Sequence, residues 1–409
     1  MPPLSPDPAQ CLALAAGVLL LGLFLKRRVS ALDRLNIPAP VIGGLLAAVV
    51  ILFLRQNAVH FDFADGLKVL KPVLQNAFFT SIGMLASLPL LRRGGWQVAV
   101  FLAMSAFLCL VQNSLGMAIA AAFNLNKLVG VVAGSVTLVG GPATGIAFAD
   151  KFEQLGVAGA DSLAIASATF GIVCGGLFGG PLGTWIISQR LKRQPRTHLS
   201  AEAQAEIAST EEGTRISIDV TQEDTPLLRN VIVLVIAMGI GVVVSRWIES
   251  KGITLPSYIG AMLVASALRN LDDWTGWFRV SERHMDLLGN VSLTVFLALA
   301  LLDLKLWEIA YLAGPLVLIL LAQALVLGVF CLVVSYPVMG RDYDSAVMAS
   351  GLYGFAMGTT ANALANMRAL VERYGAAPKA FLVVPLVGAF FIDFVNAAII
   401  TAYLNWFGR

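Results

Sequence analysis

The sequence predicts an all-α polytopic membrane protein built from two inverted five-span repeats, each carrying a re-entrant helical hairpin. Three observations predict it: an extreme apolar composition, a series of membrane-length apolar runs, and the recurrence of that series in the second half. Of 409 residues, 58% are hydrophobic and 13% charged, whereas soluble chains average about half and about a quarter. So few charges cannot cover a water-facing surface of this size. Mean hydropathy is +0.80, and the solvent meeting most of the chain is therefore lipid.

A helix needs about 20 residues to cross roughly 30 Å of hydrocarbon. Apolar runs fall near 9–25, 37–55, 72–91, 96–122 and 160–189, then near 227–248, 255–271, 285–304, 309–335 and 380–405. They lack the period-2 alternation of an outer-membrane barrel, so they are helices, which satisfy their own backbone groups in lipid. The first is expected to be a retained span rather than a leader, because Lys26, Arg27 and Arg28 follow its apolar stretch instead of preceding it.

Several chemistries are excluded along the way. Cys11, Cys109, Cys174 and Cys331 all lie inside apolar runs and read as packed thiols, not a disulfide framework. His60, His198 and His284 have no partner at ligand spacing, so no transition-metal site is expected. The chain has no phosphate-cradling Gly-rich loop ending in Lys-Ser or Lys-Thr and no nucleophile-base constellation. It is expected to be no enzyme and to need no cofactor. A net charge of +3 points to no nucleic-acid partner.

The two halves match at an offset of roughly 215 residues, a spacing sought before any motif. Leu74, Asn76 and Thr80 recur as Leu288, Asn290 and Thr294; Ile37-Pro38 with Gly43 recurs as Leu255-Pro256 with Gly260; Glu153 and Gly156 recur as Glu372 and Gly375. The first repeat spans 1–189 and the second 227–409. Between them, 190–226 is polar and charged, too poor in apolar residues to order itself, with a short surface helix expected near Ala201 to Ile207. Five crossings per repeat is odd, so the second copy enters the membrane inverted. Most of the 28 Lys and Arg residues then fall on the linker side, which places the linker in the cytoplasm and both termini outside.

Two apolar runs are not plain spans. Leu128 to Asp150 contains Gly130, Gly134 and Gly140-Gly141-Pro142-Ala143-Thr144-Gly145; Ala346 to Met367 contains Gly351, Gly354, Gly358, Thr359, Thr360, Asn362 and Asn366. Glycine costs a helix about 1 kcal/mol and proline about 3, so both runs should break, at hairpins spanning about 128–150 and 345–367. Irregular backbone at membrane depth must be buried in protein or line a wet cavity. Paired interrupted segments in two inverted halves point to a transporter's substrate site, where helix N-termini hold carboxylates and unwound carbonyls hold a cation such as Na⁺.

Polar residues at membrane depth complete the candidates. Asp393, mid-span in the last run, costs at least about 3 kcal/mol if ionised without a partner, and reads as a cation ligand or proton site. Asn76 and Asn290 occupy equivalent repeat positions. Gln112, Asn113 and Gln323 read as interhelical hydrogen-bonding groups. The candidate substrate residues are Gly141, Thr144, Gly145, Gly358, Thr359, Thr360 and Asn362. Those for the cation are Asp393, Asn396, Asn366, Asn76, Asn290 and Thr137.

This constellation resembles the bacterial glutamate:sodium symporter family. The resemblance rests on the paired Gly-rich segments, Asn36-Ile-Pro-Ala-Pro-Val-Ile-Gly-Gly44, Gly289-Asn290-Val-Ser-Leu293, Leu304-Lys-Leu-Trp-Glu308, and Phe381-Leu-Val-Val-Pro385 through Gly388 to Asp393. It implies an inner-membrane, homodimeric, elevator-type symporter in which Na⁺ drives uptake of a small anionic amino acid, L-glutamate or a close relative. The family's Gly-Gly-X-Gly hairpin pattern is replaced here by Gly140-Gly141-Pro142-Ala143 and Ala356-Met357-Gly358-Thr359, and Pro142 removes one N–H. From the residues alone, a proton-coupled or other organic-anion carrier of the same fold and a passive channel stay open.

Overall fold

The computed structural model describes residues 5–30, 32, 35, 37–56, 63–89, 95–191, 225–251, 256–305 and 309–407. The expected linker helix near 201–207 lies outside them. The described chain is helical: α1 (Pro8–Arg28), α2 (Ala39–Gln56), α3 (Ala64–Leu85), α4 (Gly95–Ala122), α5 (Lys127–Val131, continued by a π turn Val132–Val136), α6 (Gly141–Gln154) and α7 (Ala160–Arg190) precede the linker. After it come α8 (Thr225–Glu249), α9 (Ser257–Thr275), α10 (Glu282–Leu302), α11 (Ala313–Phe330, extended to Val338), α12 (Tyr343–Met357), α13 (Thr360–Tyr374), α14 (Pro378–Leu386) and α15 (Ile392–Phe407). Among the described residues, α1, α4, α7, α8, α10 and extended α11 are long and apolar enough to cross a membrane, so this is a multi-pass membrane protein.

Local chemistry sets the helix ends. Asp7 caps α1 through the Gln10 N–H at 2.8 Å while the Gln10 side chain returns to the Asp7 N–H at 3.0 Å, a capping box completed by Pro8 in the first turn. Helix α3 begins at Ala64 rather than near 72: Lys71, which hydropathy would exclude, is held at 3.3 Å by Asp161 on α7. The run 380–405 is two helices, because Pro385 and a π turn over Val387–Phe391 interrupt it.

The helices gather into two bundles that do not follow the chain halves. In the first, α1, α2, α3, α8, α9 and α10 pack on one another; the second holds α4 to α7 and α11 to α15. Small residues let backbones touch in lipid: a Cβ on Gly22 would strike the Ala39 carbonyl, one on Gly43 the Val18 carbonyl, and one on Gly116 the Gly130 backbone. Polar bonds finish the first bundle. Asp272 accepts from the N–H groups of Phe278, Arg279 and Val280 at 2.7–3.0 Å, and Arg269 reaches Asp273 at 2.9 Å and Glu282 at 2.8 Å.

Contact between bundles is mostly apolar. Ala143, Ile146, Ile165 and Ile172 of the second bundle share a buried cluster with Phe296, Leu297 and Leu301 of the first, and the Tyr258 ring meets Phe148 edge-on at 5.8 Å. Two ion pairs cross the same boundary, Lys71–Asp161 at 3.3 Å and Lys151–Glu249 at 3.4 Å.

Candidate substrate and cation site

Both interrupted segments fold back on themselves. Asn126 Nδ2 donates to the Leu155 carbonyl at 3.0 Å, joining the ends of the α5–α6 hairpin. The Tyr343 hydroxyl donates to the Gly375 carbonyl at 2.6 Å, joining the ends of α12–α13. The turns fall at Gly140-Gly141, where Gly141 has φ +67°, and at Gly358-Thr359, where Gly358 has φ −154° and ψ −93°. Every residue from Leu128 to Ala149 is buried except Gly140, and every residue from Ser345 to Gly358 is buried before the chain opens at Thr359, Thr360 and Ala361. The first arm of each hairpin is thus buried up to its tip, while α13 keeps one face partly open at Leu364, Ala365, Arg368 and Ala369.

The tips meet. A Cβ on Gly141 would find one neighbouring atom, the Gly358 carbonyl oxygen, at 3.8 Å, so space remains beside this turn. Helix α6 starts at Gly141 and α13 at Thr360, which brings two positive N-terminal ends to one place, the arrangement that holds anions. Pro142 withholds an N–H from α6. Thr359 caps α13 through the Asn362 N–H at 3.3 Å, and Thr360 Oγ1 donates to the Gly388 carbonyl at 2.8 Å, tying the second tip to the π turn before α15. Thr144, buried on the first turn of α6, touches the Gly140 turn from within.

Helix α7 is the bed on which the second hairpin lies. Its glycines 171, 175, 179 and 183 each face that hairpin: added Cβ atoms would meet Met357, Gly354, Asn366 and Ser350 respectively. Three side chains of the hairpin then donate to carbonyls that the missing side chains leave open. Asn362 Nδ2 reaches the Ile172 carbonyl at 2.7 Å, Asn366 Nδ2 the Gly175 carbonyl at 2.9 Å, and Ser350 Oγ the Gly179 carbonyl at 2.8 Å.

A second polar network backs the first hairpin. The Ser135 N–H donates to Asn113 Oδ1 at 2.9 Å, and the Ser135 carbonyl accepts from Asn396 Nδ2 at 2.9 Å. That carbonyl also accepts from the N–H groups of Val139 at 3.2 Å and Gly140 at 3.0 Å. Gln112 Nε2 donates to the Ala356 carbonyl at 2.9 Å, and Gln323 Nε2 to the Gln112 carbonyl at 2.7 Å. Asp393 lies one turn before Asn396 on α15, half-buried, in electrostatic reach of Cys109 and Tyr258.

Gly141, Thr144, Thr359 and Thr360 therefore stand at the meeting tips; Asn396 reaches the first hairpin through the Ser135 carbonyl, Thr137 Oγ1 donates within that hairpin to the Val132 carbonyl at 2.6 Å, and Asp393 lies one turn before Asn396. Other candidates are placed differently. Gly145 packs against Ala164 and Thr137, and Gly358 against Ile172, so both are close-approach glycines. Asn366 spends its amide on α7. Asn76 and Asn290 lie in the first bundle: Asn76 Oδ1 accepts from Ser257 at 3.5 Å, and exposed Asn290 donates to Asp286 at 3.0 Å. Neither bonds to a hairpin, so their equivalent places in the chain do not bring them to the tips. Ser135 was missed by sequence reasoning; its one signal was a hydroxyl next to Gly134 inside an interrupted run.

A profile of the family described as Sodium/glutamate symporter matches residues 5–376. The chain belongs to the sodium/glutamate symporter family. Similar curated relatives are the Sodium/glutamate symporter of Escherichia coli (strain K12), 39% identical over 97% of both chains, and that of Haemophilus influenzae (strain ATCC 51907 / DSM 11121 / KW20 / Rd), 37% identical over 96% of this chain and 95% of the relative. Among solved structures, a sodium proton antiporter from Methanocaldococcus jannaschii aligns over 97% of both chains at 14% identity with a TM-score of 0.44. As a member of the symporter family, the protein is a transporter and not an enzyme.

Proposed function

We propose that this symporter imports L-glutamate, or a closely related acidic amino acid, with Na⁺ as the coupling ion, by elevator-type alternating access. The observation that carries the proposal is the pair of hairpins whose tips meet at Gly141 and Gly358, each presenting a helix N-terminus there. Substrate carboxylates sit between Gly141, Thr144, Thr359 and Thr360, where positive helix ends favour them. The cation sits behind the first tip, with Asp393 and Asn396 as ligands and Thr137 beside them. Gly145, Gly358, Asn362 and Asn366 hold the tips in place.

The split into two bundles supports the elevator. The second bundle contains both hairpins and meets the first through apolar side chains and two ion pairs, a boundary along which it can slide. Each bundle takes elements from both chain halves, as expected if 1–189 and 227–409 are inverted repeats joined by a cytoplasmic linker, with the termini outside. The first bundle is then the static scaffold through which two protomers pair. Purified protein in liposomes tests the function: labelled L-glutamate should accumulate above its external concentration only under an inward Na⁺ gradient. Accumulation driven by a proton gradient alone, or mere equilibration, overturns it.

A further inference from the structure

Resting on the sodium-coupled reading above, we infer that a sodium ion binds behind the first hairpin tip between the Ser135 hydroxyl and the Asn396 side-chain oxygen, with Asn113 as the residue that positions them. Ser135 and Asn396 are 0% and 1% exposed, and among the described residues neither Ser135 Oγ nor Asn396 Oδ1 has a hydrogen-bond partner. Their orientations are set by other atoms. The Ser135 backbone is committed on both sides, its N–H to Asn113 and its carbonyl to Asn396, Val139 and Gly140. Because Asn396 Nδ2 is engaged by that carbonyl, Oδ1 is the atom left over, on the residue bonded to the one that carries the hydroxyl.

A buried polar group without a partner is costly, and here two oxygens on different elements lack one on residues that the Asn396–Ser135 bond ties together. The surroundings are rich in oxygen and poor in donors. Gln112 Oε1 and Gln323 Oε1 are also buried without a partner, while both Gln amide nitrogens are spent on carbonyls; the leftover donors among these five residues are Asn113 Nδ2 and the Ser135 hydroxyl itself, against four leftover oxygens. A hard cation satisfies such oxygens where a donor-poor wall cannot. The negative end of the helical stretch that begins at Lys127 and breaks at Gly134, where φ is −107° and ψ −136°, adds to the field, as does Asp393 one turn earlier on α15. The geometry also couples the ion to the substrate. The Ser135 carbonyl holds the N–H groups of Val139 and Gly140, immediately before Gly141, so an ion drawing on Ser135 orders the tip that meets the carboxylate.

Ser135→Ala tests this in full-length protein, since it deletes the hydroxyl and leaves both backbone bonds. The Na⁺ concentration giving half-maximal glutamate uptake should rise about tenfold or more, a change in the range seen when a metal site loses a supporting group, while glutamate KM at saturating Na⁺ stays near wild type. Without glutamate, NaCl should raise the Tm of the solubilised wild type above that in choline chloride, and Ser135→Ala should lose this gain. Unchanged Na⁺ half-saturation, or a wild type that Na⁺ does not stabilise, overturns the site and leaves the transport reading standing. A wild type whose uptake ignores Na⁺ overturns the transport reading itself. Should Ser135→Ala fail to fold, Ser135→Cys, with soft sulfur in place of hard oxygen, must shift Na⁺ half-saturation in the same direction, and no shift counts against the site.

Discussion

Gly171 of α7 sits where the two hairpins converge, and Gly171→Ala should cripple transport without unfolding the protein. An added Cβ would overlap the Met357 carbonyl oxygen of the second hairpin and lie 2.9 Å from Leu138 Cδ2 of the first. Carbon atoms prefer separations of about 3.5–4.0 Å, so the second tip must withdraw by roughly an ångström; the leucine can rotate, the backbone carbonyl cannot. Overpacking of this kind costs about 1–3 kcal/mol, short of global unfolding. A shift of about 1 Å at a binding site is worth about 100-fold in rate. Sodium-driven glutamate uptake in liposomes should fall by about that factor, while a thermal melt shows a folded protein of slightly lower Tm. Gly239→Ala and Gly314→Ala are the controls: a Cβ there meets nothing within 4 Å, and uptake should be unchanged. Wild-type uptake by Gly171→Ala would refute the placement of the tips against α7.

Gly141→Ala should raise glutamate KM more than it alters Na⁺ half-saturation, because φ +67° costs a side-chain-bearing residue about 1–2 kcal/mol and the Cβ would project into the gap between the tips. Asn366→Ala should lower stability by about 1–3 kcal/mol through the lost buried bond to the Gly175 carbonyl, with Na⁺ half-saturation unmoved; a thermal melt and a Na⁺ titration check both. Lys71→Asp and Asp161→Lys should each slow uptake by loosening one bundle from the other, and the double swap should recover much of the loss. Failure of the swap to recover would mean the pair at 3.3 Å does not tie the bundles.

Membrane class and the positions of the breaks were legible in the chain itself. Length, apolarity and the scarcity of charge are local properties, and Gly140-Gly141-Pro142 and Gly358-Thr359 disrupt a helix whatever surrounds them. The family was legible too, through motifs spread along the sequence. Tertiary structure decided which polar groups do which work. Asn366 and Asn396 look alike as buried asparagines on apolar helices, yet the first is consumed by the Gly175 carbonyl while the second, bonded to the Ser135 carbonyl, keeps an oxygen free. Their partners lie on helices far away in the chain, and no local pattern encodes them. The same reason hid Ser135, separated Asn76 and Asn290 from the tips despite their matching positions, and concealed that the bundles interleave the two halves: burial and hydrogen bonding between distant segments exist only after the chain has packed.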